Sequence, residues 1–429
     1  MLAAMPPTRA TSPKQGEPPI RDRGDACPGA LRLHRADDGR LARLRLPGGL
    51  LTSRQAEVLA TAAERLADGN LSITSRGNIE LRGLGETCGG ELSALLSQAG
   101  LLPSERHERI RNVVASPLAG IDRLGHGDVQ LWARELDGLL CSEGWTAELS
   151  GRFLFALDDG RGDVVGLGGD VTLIAESGGT AIVRVGGLAF RVAGADAPRA
   201  ALTAARAFLA AATAAGNGAW RVWELPRERR VDLAGALERA GIDAVRAEPW
   251  SVARSAPQAP GVVGDAVVVN APLGRVTAAQ WRALLPLPAD ELRVTPWRGF
   301  VVPGFADEAA ARERLAVLAD AGHITDAESP WLGVGACTGR PGCAKSLSDV
   351  RADAVPGLGG LPVHWSGCER RCGHPWGDWV DVLATGDGQY EVTVRIVGED
   401  RAPMTGGTLT ETVTTARIPT KPTATTATR

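Results

Sequence analysis

Pro47-Gly-Gly-Leu-Leu51-Thr52-Ser-Arg-Gln55 returns later in the chain as Pro272-Leu-Gly-Arg-Val276-Thr277-Ala-Ala-Gln280. Leu71-Ser-Ile73-Thr74-Ser-Arg76-Gly77 likewise returns as Leu292-Arg-Val294-Thr295-Pro-Trp-Arg298-Gly299, read with one extra residue at the turn. In both copies a capped helix leads into a strand, a turn bearing Arg-Gly and a second apolar strand. Any helix–strand unit shares some of this pattern. Two matches in the same order at similar separation nevertheless indicate an internal duplication. The expected chain is α+β, with two related halves whose junction makes a cleft suited to a large ligand.

The second half leads into four cysteines. Cys337-Thr-Gly-Arg-Pro-Gly-Cys343 is followed across a gap by Cys368-Glu-Arg-Arg-Cys372. Gly339, Pro341, Gly342, Gly367 and Gly373 place both pairs in turns. Thiolates that hold a cuboidal iron–sulfur cluster must converge from loops, and glycine lets backbone N–H groups approach the sulfurs. Two other readings compete with a [4Fe–4S] centre. Structural zinc prefers thiol pairs two to four residues apart, which the wider C-x5-C gap fits poorly. Thiols without any metal are the other, and disulfides suit a chain with seven cysteines and no export signal badly.

The 429 residues suffice for two or three domains. Hydrophobic content of 44% with 23% charged residues is that of an ordinary globular protein, and a net charge of −3 argues against a nucleic-acid binder. Of 47 basic residues only Lys14, Lys345 and Lys421 are lysines. Arginine offers a planar fork that matches carboxylates, so the chain is equipped for a polyacid. Met1–Glu17 lacks the apolar core of a signal peptide, and the apolar stretch 200–215 is interrupted by Arg206 and too short to span a bilayer. A cytoplasmic enzyme is the expectation, with neither membrane nor nucleic acid as partner.

The rest of the chain divides around these motifs. Residues 1–21 and the Thr/Pro-rich 401–429 read as disordered, 22–105 and 251–325 as the two halves, 106–250 as a first α+β domain and 326–400 as the thiol-bearing one. Strands are expected at 171–176, 181–185, 188–193 and 389–397, and an Ala-rich helix at 197–215.

A duplicated half followed by C-x5-C and C-x3-C resembles the sirohaem-dependent nitrite and sulfite reductase superfamily. Within it, Ala26-Cys27-Pro28-Gly29, Arg45-Leu-Pro-Gly-Gly49 and Leu71-Ser-Ile-Thr-Ser-Arg76-Gly-Asn78 are most similar to the precorrin-3B synthase family of aerobic cobalamin synthesis. The resemblance covers roughly residues 22–400. It implies two pseudo-twofold-related ferredoxin-like halves with α+β domains for cluster and tetrapyrrole, and a [4Fe–4S] cluster on Cys337, Cys343, Cys368 and Cys372. It also implies substrate-binding roles for Arg76, for Arg111 and Asn112 in an Arg-Asn turn, and for Arg152 on the catalytic face, with Arg298 a weaker candidate in the second repeat.

One position separates the branches of the superfamily. The reductases carry a Lys-x-Lys pair on the catalytic face, which here reads Arg152-Phe153-Leu154, and no lysine lies between Lys14 and Lys345. A pocket that reduces an anion over sirohaem needs several cations, and one remains. The resemblance therefore implies chemistry on metal-free precorrin-3A, with O2 and a cytoplasmic electron donor. A hydroxyl enters the meso carbon and a ring acetate closes a γ-lactone, giving precorrin-3B. It also suggests a mononuclear non-haem iron. His34, His126, His364, His374 and Asp25 are of ligating type, but no facial-triad spacing singles any out. Cys27 is either a participant or a buried structural thiol. A sirohaem reductase is the alternative, and a non-catalytic electron carrier or tetrapyrrole-binding scaffold the third reading.

Overall fold

The computed structural model describes residues 25 and 27–417, except 229, 249–254, 358, 376, 397–398, 401–403 and 405–407. The expected N-terminal tail lies outside the described residues. Four sheets and their helices give the α+β class expected.

The two repeats exchange strands. The first sheet runs His34–Ala36, Gly39–Leu44, Ile79–Leu84, Asn70–Ile73, and closes with Arg275–Thr277 from the second repeat. The second runs Gly261–Val263, Ala266–Asn270, Gly299–Val302, Leu292–Val294, and closes with Leu50–Leu51 from the first. Register is reciprocal: Leu51 faces Leu292, and its counterpart Val276 faces Leu71, both in antiparallel pairs. Helices Ser53–Leu66 and Ala278–Ala283 start alike, since Thr52 with Gln55 and Thr277 with Gln280 each form a reciprocal capping box. Leu71, Ile79 and Leu81 of one half and Trp281, Leu292 and Phe300 of the other lie in one core, so the halves fold as a unit.

The duplication extends beyond the stretch where sequence betrays it. In the third sheet Val113–Ala115, Phe155–Asp158 and Val171–Glu176 run parallel, then Thr180–Val185 turns back antiparallel. The fourth repeats this with Val334–Ala336, Val363–Ser366 and Trp379–Gly386, then Gln389–Ile396. Ala197–Ala215 covers the third sheet through Ala201, Ala204 and Phe208.

Two expectations are corrected. The tail is not without structure, because Leu409–Arg417 is a helix with Val413, Ala416 and Arg417 buried. Arg417 donates to the carbonyls of Leu361, Gly357 and Leu332, which docks the helix on the thiol-bearing domain. The alignment of the repeat turns also changes. Gly77 N donates to Thr74 O and Arg298 N to Thr295 O, both at 3.1 Å. Asn78 N and Gly299 N donate to Thr74 Oγ1 and Thr295 Oγ1, also both at 3.1 Å. No extra residue exists: Arg76 corresponds to Trp297, and Arg298 to Gly77. Among the described residues no helix is long and apolar enough to cross a membrane.

Candidate functional site

The thiol loops grow from the ends of two parallel strands. Val334–Ala336 runs directly into Cys337, and Val363–Ser366 into Gly367 and Cys368. Cys337 N donates to Trp365 O at 2.9 Å, and Gly367 N to Cys337 Sγ at 3.2 Å, so the first thiol sits under a backbone donor. The Cys343 loop is fixed by the first half. Arg82 pairs with Asp38 at 2.8 Å and donates to Gly342 O at 2.9 Å, while Ala344 N donates to Asp37 Oδ2 at 2.6 Å. The other three thiols act on Cys372. Burial raises Cys372, Arg370 opposes, and the charges of Cys337, Cys368 and Cys343 add to the rise.

Their spacing is wide. Among the described residues the group that brings three metal-ligating atoms within 4.8 Å of one another is Asp158, Asp159 and Asp163, not any three of these thiols. A tetrahedral zinc with Zn–S bonds of about 2.3 Å needs its sulfurs about 3.8 Å apart. Four thiols that share one electrostatic neighbourhood at larger spacing fit a polynuclear cluster better than zinc.

Near these loops lies a cluster of arginines on the first half. Arg43 and Arg45 alternate with Leu44, which puts both on one face of the chain. Arg43 pairs with Glu80 across the sheet, and its charge is coupled to Cys27 and Cys372. Arg45 is 4% exposed and donates to the carbonyls of Arg109 and Gly151, at 3.1 and 3.3 Å, with no carboxylate partner among the described residues. Burial, then the neighbouring Arg43, brings its guanidinium down to about 9. Arg76 has no side-chain partner among the described residues, and burial followed by Arg221 lowers it to about 10. Both stay charged at neutral pH, and the nearest carboxylates, Glu80 and Asp170, are already paired with Arg43 and Arg221. Cys27 lies among them, its thiol pushed up by burial and by Asp25.

The other expected residues fall in different places. Arg152 is exposed, next to Cys27, with its guanidinium 5.1 Å over the Trp220 ring. Phe153 and Leu154 are buried at 0% and 1%, and Leu154 packs with Val114, Ala156 and Val164. Arg111 is committed elsewhere: it grips Asp137 with two hydrogen bonds, 2.6 and 2.7 Å, and donates to Leu101 O. Asn112 is fully buried and links Asn78 to Phe153 O. The strand Val113–Ala115 that follows is the edge strand of the third sheet, and Arg111 lines a cavity with Arg45, Arg134 and Asp137. Arg298 turns to the thiol loops and donates to Gly373 O.

Of the residues of iron-ligating type, Asp25 accepts from Cys27 N, Ser150 Oγ and Gly151 N. His34 is exposed on the first hairpin, and His126 N donates to Asp159 O in the third-sheet domain. His364 is buried with Nε2 on Cys372 O at 3.0 Å, and His374 stacks on Trp379. They do not gather around a point. Sequence reasoning missed Arg43, Arg45 and Arg82, although arginines alternating with leucine on a half-buried strand were a usable signal.

The duplication supplies a second, silent copy of the thiol position. Ser116 stands where Cys337 stands: Ser116 N donates to Leu157 O at 3.0 Å, and Asp159 N to Ser116 Oγ at 3.1 Å. An ionic knot fills that place. Asp158 accepts from Gly160, Gly162, Val164 and Val165 N, and Arg161 clasps Asp159 and Asp122.

In fold the chain is similar to the nitrite and sulfite reductases. Residues 32–96 match the family model for the nitrite/sulfite reductase ferredoxin-like half domain. The solved structure of the Mycobacterium tuberculosis NirA protein shares the fold, with a TM-score of 0.59 at 19% identity over 86% of this chain and 76% of that one. Along most of its length the chain is similar to a precorrin-3B synthase from Sinorhizobium sp, 27% identical over 380 residues that span 82% of this chain and 79% of the relative. A ferredoxin–nitrite reductase of Leptolyngbya laminosa matches more locally, 36% identical over 106 residues, 24% of this chain and 21% of the relative.

Proposed function

We propose that this chain is an oxidoreductase of cobalamin biosynthesis that converts precorrin-3A to precorrin-3B with O2 and electrons from a cytoplasmic donor. One oxygen atom enters the macrocycle as the hydroxyl that accompanies γ-lactone closure; the other leaves as water with two donor electrons. The observation that carries the reading is Arg45 and Arg76, which have no carboxylate partner among the described residues, near the loops that bear four cysteines, with buried Leu154 where the resemblance puts the second reductase lysine. Cys337, Cys343, Cys368 and Cys372 would hold a [4Fe–4S] cluster, which supplies single-electron transfer when bound.

The chain's own part is recognition. Tetrapyrrole acetates and propionates are strongly hydrated, so they leave water only for charged donors. Arg76 and Arg45, without carboxylate partners among the described residues, offer those donors, and exposed Arg152 lies beside Cys27. The large homologous share with a precorrin-3B synthase supports this substrate over sulfite or nitrite.

The test is anaerobic purification with iron and sulfide analysis, then addition of precorrin-3A, reductant and O2. Iron and sulfide in the ratio of a [4Fe–4S] cluster, lost in Cys343→Ala, and an O2-dependent lactone product are expected. Sirohaem absorption with sulfite- or nitrite-dependent dye oxidation would overturn the reading in favour of a reductase.

A further inference from the structure

Arg298 stands in the position that the first repeat gives to glycine. Its φ is 63° and that of Gly77 is 65°, inside turns with the same hydrogen bonds. A side chain in this left-handed region costs on the order of 1 kcal/mol, and such outliers persist where the side chain has a task. Here the side chain crosses to the other domain. Nη2 donates to Gly373 O, one residue beyond Cys372, and the charge of Cys337 favours the protonated guanidinium. The strand facing it makes room with a glycine: a Cβ on Gly335 would meet Arg298 Nη1 at 2.1 Å.

Arg351 reaches the same loops from another direction. It donates to Leu273 O at 3.3 Å and towards Ala336 O, the residue before Cys337, at 3.5 Å. Neither arginine has a carboxylate partner among the described residues. His364 also flanks Gly335, but burial and Arg298 keep it neutral, so the two arginines carry the positive charge there.

We propose that Arg298, with Arg351, is a positioning counter-charge for the four-thiol group, stabilising the added electron of a cluster held there and raising its reduction potential. This rests on the reading of the four cysteines as cluster ligands. Reduction adds one negative charge to the cluster, and a fixed cation in a poorly solvated site favours that state over the oxidised one. A guanidinium stays protonated throughout, so no proton need accompany the electron.

The test is an EPR-monitored redox titration of the full chain carrying its cluster, with iron and sulfide counted for each protein. R298G suits the backbone, since glycine occupies the matching place in the first repeat. It is expected to fold, retain iron and sulfide, and titrate at a more negative potential than wild type. R298K should recover most of that shift, and R351M should move the potential the same way. R298G and R351M with full iron content and the wild-type midpoint would overturn the proposal. If R298G fails to assemble the cluster, R351M decides by the same criterion. Wild-type protein without iron and sulfide would remove both this proposal and the cluster reading, before any variant is compared.

Discussion

Arg82 donates to the carbonyl of Gly342 at 2.9 Å while pairing with Asp38, and so ties the first repeat's sheet to the loop that carries Cys343. Both side chains are mostly covered, at 12% and 22% exposure, so the contact is firm rather than a surface ion pair. Arg82→Met would leave Asp38 and Gly342 O unmatched and free the loop. The expected result is a roughly 10- to 100-fold loss of cluster affinity, as for other groups that orient metal ligands. Iron and sulfide retention during dialysis against a chelator measures it; unchanged retention would show that the loop holds itself.

Trp281 performs the same service between the halves. It is fully buried, donates Nε1 to Ala56 O at 2.8 Å in the helix of the other repeat, and meets Phe300 edge-on at 5.5 Å. Trp281→Ala opens a cavity in the shared core and should destabilise the chain by about 3–5 kcal/mol. Urea denaturation followed by circular dichroism reads this as a lower midpoint with a single transition. Two transitions would mean that the halves fold separately.

The duplication and the thiol loops were legible because both depend on local patterns: a capped helix, a strand pair, and cysteines among glycines. What escaped depends on three-dimensional equivalence. Ser116 and Cys337 share one backbone environment, yet serine gave no reason to compare them. Reading the turns by their Arg-Gly pairs matched Arg76 with Arg298, whereas hydrogen bonding matches Arg298 with Gly77. Arg111 looked available because sequence cannot reveal that Asp137, on a later helix, faces it. The C-terminal helix was hidden by its Thr-rich composition, although Thr408 and Glu411 cap each other and marked its start.

The ionic knot gives a pH dependence of definite sign. Burial, reinforced by Asp158 and Asp159, raises the Asp163 carboxyl to about 7 despite its hydrogen bond from Ser116 at 2.5 Å. The folded chain therefore binds this proton more tightly than the unfolded chain, where the pKa is near 3.8. Stability from this group is present below about pH 4 and is lost as pH rises to about 7. At about 1.4 kcal/mol per pKa unit the loss is at most roughly 4 kcal/mol. Asp163→Asn should flatten the fall in melting temperature between pH 4 and 7 and be the more stable form at pH 8. Parallel melting curves for both proteins across that range would contradict the assignment.

Arg76 and Arg111 looked alike in the sequence and should separate cleanly in the laboratory. Arg76 has no side-chain partner among the described residues and lies near Arg43 and Arg221, so its removal takes away a donor without stranding an acceptor. Arg76→Met should leave the melting temperature unchanged or slightly higher, since a buried cation is lost, and weaken binding of the tetrapyrrole acid. A charged hydrogen bond contributes about 1.5–3 kcal/mol, which is roughly a 10- to 150-fold rise in Kd. Arg111→Met has the opposite signature. It abandons Asp137 in a site where the two side chains are 7% and 20% exposed, and breaking such a pair costs about 3–5 kcal/mol. Its effect should appear in thermal or chemical unfolding, with the Kd of the folded fraction near wild type. Fluorescence-quenching titrations with the tetrapyrrole, run beside denaturation curves, distinguish the two. A large Kd change in folded Arg111→Met protein, with none in Arg76→Met, would move the binding surface to the other face of the first sheet.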